Sequence, residues 1–247
     1  MIPFVPGVVP SILQALLIVC VLCVALSKQI KAHPKSFYLL VGLASAATFV
    51  PAARAIPAAW MVIQVFASCY TGVAIYLAVM FAGALPKKWQ VTKRLLFIRS
   101  EMSIAGGFVI LAHCIRVVFM VPLSFSAYWE MIWAEAALPM LVACGIVGPL
   151  LLACFLVRWV TSFPFARKRM SFATWKKIQK LAYPFMALLV LQGFFLAVGH
   201  GMYVGPAGAD FVKYAATAVT YLAIGVAYLA LKALGVGAKP GKEIEDA

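Results

Sequence analysis

The stretch LPMLVACGIVGPLLLACFLVRW, residues 138–159, carries a single charged side chain, Arg158, at its far end. The segment that follows it, TSFPFARKRMSFATWKKIQK at 161–180, holds Arg167, Lys168, Arg169, Lys176, Lys177 and Lys180. A hydrocarbon core of about 30 Å takes roughly 20 residues of α-helix to cross. An apolar run of this length followed at once by a dense basic segment is the pattern of a membrane span leaving on its cytoplasmic side. The sequence therefore predicts a transmembrane helix over Leu138–Trp159, and this reading decides the class of the fold.

Working outward, the same pattern recurs. Apolar stretches run over Ile12–Ser27, Phe37–Ala53, Ala58–Leu85, Met102–Val121, Ile178–Gly199 and Phe211–Ala233, which gives about seven spans. The composition agrees: of 247 residues, 65% are hydrophobic and 11% charged, and mean hydropathy is +1.02. A soluble domain needs much more polar surface. Backbone groups in hydrocarbon must be satisfied within a helix or a closed barrel, and these stretches lack the alternation of a barrel. The expected fold is all-α, a polytopic membrane helix bundle. Pro51, Pro57, Pro86 and Pro122 fall near span ends, where a missing N–H costs little.

The basic residues orient the chain. Lys28, Lys31 and Lys35 follow the first span; Lys87, Lys88, Lys93, Arg94 and Arg99 follow the third. The cluster from Arg158 to Lys180 follows the fifth, and Lys232, Lys239 and Lys242 follow the seventh. Eighteen of 21 basic residues thus share one side, leaving Arg54, Arg116 and Lys213 for the other. With seven spans this bias places the N-terminus outside and the C-terminus in the cytoplasm, in the cell's inner (plasma) membrane. The formal charge of +14 belongs to short loops facing anionic lipid, so nucleic acid is not an expected partner. The first span has no basic residue before it and lysines after it, which reads as an anchor. Trp60, Trp89, Trp129, Trp133, Trp159 and Trp175 are expected at the interfaces, Tyr128–Glu135 as an amphipathic outer segment, and Gly235–Ala247 as a polar tail.

Polar groups inside hydrocarbon are costly, so they mark where function is to be sought. His113 lies well inside the fourth span, with Arg116 one turn later on the same face. Gln179 and Gln192 lie in the sixth, and His200 at its outer end. Glu101 opens the fourth span, where a helix N-terminus favours a carboxylate. Gly106 and Gly107 allow close helix packing, and the same closeness would admit a flat cofactor. The six cysteines (Cys20, Cys23, Cys69, Cys114, Cys144, Cys154) all sit in apolar stretches and imply no disulfide framework or metal site.

Several of these residues carry a resemblance. Tyr70-Thr71-Gly72-Val73-Ala74 through Leu85-Pro86, Arg99 with His113 fourteen residues on, and Trp175 followed by Gln179, Tyr183 and Gln192 form an ordered set. Together they resemble the ferric reductase-like transmembrane family, and within it the haem-binding membrane subunits of periplasmic methionine sulfoxide reductase systems. The resemblance covers roughly residues 65–200. It implies a ferric reductase-like bundle over 36–234, an extra N-terminal helix and first loop over 1–35, and a short tail over 235–247.

The family holds b-type haem between histidines, and here glutamine stands at 179 and 192. A carboxamide oxygen is a poor ligand for haem iron, so the resemblance implies at most one haem b, with His113 as its metal ligand and Arg116 placed for a propionate. A quinone or flavin in the vacated level, or no cofactor at all, are equally compatible with these residues. The implied function is a membrane subunit of a redox complex, with no catalytic residue of its own. It would pass electrons from a quinol or a cytoplasmic flavoprotein to an extracytoplasmic reductase. The alternative is a haem-free anchor or assembly subunit, in which His113 hydrogen-bonds across helices, for instance to Gln192. A small-molecule transporter is a third reading, weakened by the lack of paired broken helices.

Overall fold

Among the described residues the apolar stretches close their backbone hydrogen bonds within helices, and the result is an all-helical membrane protein. The computed structural model describes residues 9–50, 69–123 and 137–236, with 53, 55–57, 60, 63, 65 and 66 between the first two, and no side chain from 119 to 123. In chain order its helices are α1 (Ser11–Ala25), α2 (Ser27–Ala32), α3 (Pro34–Ala47), α4 (Cys69–Ala82), α5 (Gln90–Phe97) and α6 (Arg99–Leu123), followed by α7 (Leu138–Val160), α8 (Pro164–Lys168), α9 (Phe172–Gln179), α10 (Ala182–Val204) and α11 (Phe211–Ala233). Four segments are long and apolar enough to cross a bilayer: Arg99–Val118, Leu138–Val160, Phe172–Val204 and Phe211–Ala233. Ser11–Ala25 and Cys69–Ala82 are shorter apolar helices. The chain is therefore a multi-pass membrane protein with the lipid bilayer as its surroundings.

The short helix α4 is the hub. Thr71, Gly72, every residue from Ala74 to Met80, and Ala82 are buried, so this helix is enclosed on all sides, as a helix apolar around its whole circumference should be. Ala74, Ala78 and Ala82 form a stripe of small side chains, which lets neighbouring backbones come close. Against α4 pack α1, α5 and α6. Tyr76 of α4 reaches Phe155 of α7 and Phe185 of α10, with ring centroids 5.9 and 5.3 Å apart, and Phe81 meets Tyr228 of α11 at 5.6 Å. The helix α3 packs on the far side of α6, where Val41, Ala105 and Val109 make a small core of their own.

Glycines set the registers. At Gly72 an added Cβ would lie 2.6 Å from Ile110, and at Gly106 it would lie 2.7 Å from Ile75, so α4 and α6 run antiparallel with their backbones close. Gly193 receives the ring of Tyr221 and Gly225 the side chain of Val190, which makes α10 and α11 antiparallel as well.

Helix ends that carry the basic segments collect at one end of the bundle. Lys31 of α2 pairs with Glu101 of α6 at 2.8 Å, Arg94 of α5 donates to the Val24 carbonyl of α1 at 3.2 Å, and Lys232 of α11 donates to the Gly83 carbonyl after α4 at 3.1 Å. These segments are largely helical (α2, α5, α8 and α9) rather than plain loops. The Lys31 side chain is 40% exposed and that of Glu101 10%. Lys31→Met is expected to lower stability by about 1–2 kcal/mol, mostly by leaving a nearly buried carboxylate without a counter-ion. Combining it with Glu101→Gln should recover most of that loss in detergent unfolding curves; a double variant weaker than Lys31→Met alone would contradict this account.

Three sequence expectations need correction or placement. The sixth span is not one helix from Ile178: it breaks at Lys180 and Leu181 and restarts as α10. Pro184, in the first turn of α10, has no N–H to offer the Lys180 carbonyl and favours a fresh helix start. Trp159, expected at an interface, turns its ring inward onto Gly107. Tyr128–Glu135 and the tail beyond Val236 lie outside the described residues, as do Trp129 and Trp133.

Candidate functional site

The expected site residues stand on three helices, and the structure spreads them apart. His113 is on α6, half-buried, and its imidazole makes no hydrogen bond to the described residues. It continues the stripe of Gly106 and Ile110 that packs on α4, which places it level with the Cys69 end of that helix. Gln192 is on α10 and lies against α7, its Nε2 3.5 Å from where a Cβ of Gly148 would be. Its Oε1 is buried without a hydrogen-bond partner. Following the contacts of Gly107 with Trp159 and of Gly148 with Gln192, residues 113 and 192 differ in depth by about one and a half turns, roughly 7 to 8 Å. The hydrogen bond weighed between them is not formed. Gln179 ends α9 at the basic end of the bundle and is half-buried.

Arg116 is engaged elsewhere. Its Nη2 donates to the Thr48 carbonyl at the end of α3, at 3.3 Å, and its guanidinium lies 5.3 Å from the centre of the Phe49 ring. A cation closing a helix C-terminus satisfies an orphan carbonyl and the helix dipole together. The propionate role expected for Arg116 would have to compete with this.

The fit of haem to these residues can be judged from the donor set and from the glycine surfaces. His33 stands between α2 and α3, and His200 is at the opposite end of the bundle, stacked on Tyr214 at 5.3 Å with Nδ1 2.7 Å from the Leu196 carbonyl. Neither shares a level with His113, and among the described residues no group of three His, Cys, Asp or Glu side chains could hold a metal. The notches at Gly106 and Gly107 are filled by Ile75 and by the indole of Trp159. That indole donates from Nε1 to the Ile104 carbonyl at 3.0 Å and stacks on Phe155 with centroids 5.9 Å apart. The described residues thus offer iron one imidazole and no second nitrogen, and the glycine surfaces hold side chains in place of a flat ring. A six-coordinate haem does not fit them.

The sequence reading passed over Arg158. Counted there among the loop cations, it is 5% exposed, and both Nε and Nη1 are buried with no hydrogen-bond partner. Its Nη2 reaches only the Met80 sulfur at 4.0 Å, and its guanidinium lies 4.8 Å from the centre of the Phe185 ring. The signal was available: Arg158 precedes Trp159 and lies inside the apolar stretch, not after it.

No family model matches this sequence, and no solved structure matches it. The chain is 30% identical over 219 residues to an uncharacterized protein of Treponema pallidum (strain Nichols), an alignment that covers 85% of this chain and 58% of that protein. The chain thus spans a little over half the length of that relative.

Proposed function

We propose that this protein is a haem-free membrane subunit of a redox assembly of the ferric reductase-like type, serving as its anchor. In this reading seven spans cross the inner membrane, the N-terminus lies outside, and the basic end of the bundle faces the cytoplasm. The ordered set from Tyr70 to Gln192 supports the family. The observation that carries the haem-free form is the indole of Trp159 lodged on Gly107, with its N–H bonded to Ile104. Where a cofactor-binding bundle leaves a gap beside a glycine, this one inserts its own aromatic ring. Glutamine at 179 and 192 keeps hydrogen-bonding capacity after ligand capacity has gone.

A second reading draws on His113, whose half-buried imidazole has no partner among the described residues. In it the chain carries one b-type haem and passes electrons outward from a quinol or a flavoprotein. When bound, such a group would supply one-electron chemistry, and His113 would be the residue holding it.

A pyridine haemochrome assay on protein purified in mild detergent separates the two. The anchor reading expects no Soret band and fewer than about one haem per ten chains, a level set by trace carry-over; membranes lacking the chain should lose a reductase activity that a His113→Ala chain restores. One haem per chain, lost in His113→Ala, would replace the anchor reading with the second.

A further inference from the structure

Arg158 poses a problem that the anchor reading does not solve. A guanidinium does not shed its proton at any relevant pH, so it stays charged where it is buried. Here two of its three nitrogens are enclosed and unbonded, and the third has only a thioether sulfur. The groups near enough to act on its charge are Tyr76, Arg99, Tyr228 and Cys154, and none of these is a carboxylate. Of the described acids, Glu101 is held by Lys31 and Asp210 lies at the other end of the bundle beside Lys213. The neighbouring Tyr76 hydroxyl donates to the Ser103 carbonyl at 2.8 Å, and Arg158 makes no hydrogen bond to its oxygen. Cation–π contact with Phe185 offsets part of the lost hydration, but it bonds no N–H.

More positive charge surrounds it. Arg99 opens α6 at the same end of the bundle, and Lys232 of α11 holds its Nζ 5.9 Å from the rings of both Tyr183 and Tyr228. Arg99 and Arg158 thus act on one another from two helices, Lys232 donates to the Gly83 carbonyl at the same end, and no carboxylate acts on Arg158. A buried, uncompensated charge in a membrane bundle is costly enough that it marks a ligand.

We propose that Arg158, with Arg99 beside it, is the centre of an anion site for a phosphate group, received at the level where the bundle meets the headgroups. Two sources share that chemistry: the phosphodiester of an anionic lipid and a soluble phosphate. The site is centred on α7, at the opposite end of α6 from His113, and does not depend on the redox reading.

The test is thermal unfolding of the full-length protein in neutral detergent. Phosphatidylglycerol is titrated against phosphatidylcholine, and inorganic phosphate against chloride at equal ionic strength. The expected result is a rise in Tm of several degrees with one anion, and its absence in Arg158→Met. A buried ion replaced by a methionine of similar length leaves the basal stability intact or raises it, so the loss would be specific to the ligand. Response to phosphatidylglycerol alone assigns a lipid, with one lipid per chain retained in native mass spectra; response to phosphate assigns a soluble ligand. If Arg158→Met gives no folded protein, Arg158→Lys keeps the charge without the planar fork and should respond several-fold more weakly. No response to either anion, or an equal response in the Arg158 variant, overturns the proposal. So does a wild type that is silent beside a Glu243→Gln, Glu245→Gln, Asp246→Asn variant that responds, because the counter-ion would then come from the chain itself.

Discussion

Gly107→Ala is expected to destabilise the protein by about 3–5 kcal/mol, the range in which core overpacking and a displaced aromatic ring combine. The new methyl would overlap Trp159 Nε1, Cδ1 and Cε2, all far inside contact distance. The indole cannot simply lean away. It is stacked on Phe155, its edge meets Phe108 at 5.5 Å and Phe163 at 5.3 Å between centroids, and its N–H is bonded to Ile104. To admit the methyl it must leave that hydrogen bond, worth about 1 kcal/mol, and open the contact between α6 and α7. On a chain of this size the expected fall in Tm is on the order of 10 °C. Gly145→Ala supplies the control: nothing lies within 4 Å of its Cβ, and alanine is the better helix former by up to about 1 kcal/mol. Detergent unfolding curves should therefore separate two Gly→Ala changes in the same membrane protein, one large and harmful, one neutral or mildly stabilising. Equal curves would mean that Trp159 does not occupy the Gly107 notch.

How much of this was readable beforehand depends on the residue. The helix Phe211–Ala233 has the bounds expected of the seventh span, and Leu138–Val160 exceeds the fifth by one residue, because long apolar runs leave the backbone no other way to satisfy itself. The clustering of basic ends was equally legible, since it follows from charge alone. What the sequence hid was the difference between a residue near an interface and a residue turned inward. Trp159 and Arg158 read as belt and loop because hydropathy says where a residue is along the membrane normal and nothing about which way it faces. Facing is fixed by partners distant in sequence: Gly107 lies 52 positions before Trp159 and Met80 lies 78 before Arg158. The same limit applies to Arg116. Its place one turn after His113 was correct, but the Thr48 carbonyl that engages it belongs to a helix end that helical periodicity cannot bring to mind.

The second large effect is expected at Tyr76, the side chain through which the hub helix touches α6, α7 and α10 at once. It is 2% exposed, its ring meets Phe155 edge-on and Phe185 at a tilt, and its hydroxyl crosses to the Ser103 carbonyl of α6. Tyr76→Ala removes the ring and leaves a cavity where three helices meet. Lipid tails are as apolar as the core, so the cost comes from lost packing rather than from exposure to water, and aromatic truncations of this kind cost about 3–5 kcal/mol. Tyr76→Phe keeps the ring and removes only the hydroxyl. The Ser103 carbonyl still accepts within α6, so this change should cost no more than about 1 kcal/mol. The two variants divide the residue's contribution between packing and polarity, and the ratio is what the measurement reads. If the phenylalanine variant proves as weak as the alanine one, the hydroxyl and not the ring holds the helices together. The bundle would then depend on interhelical hydrogen bonds far more than the filled glycine notches imply.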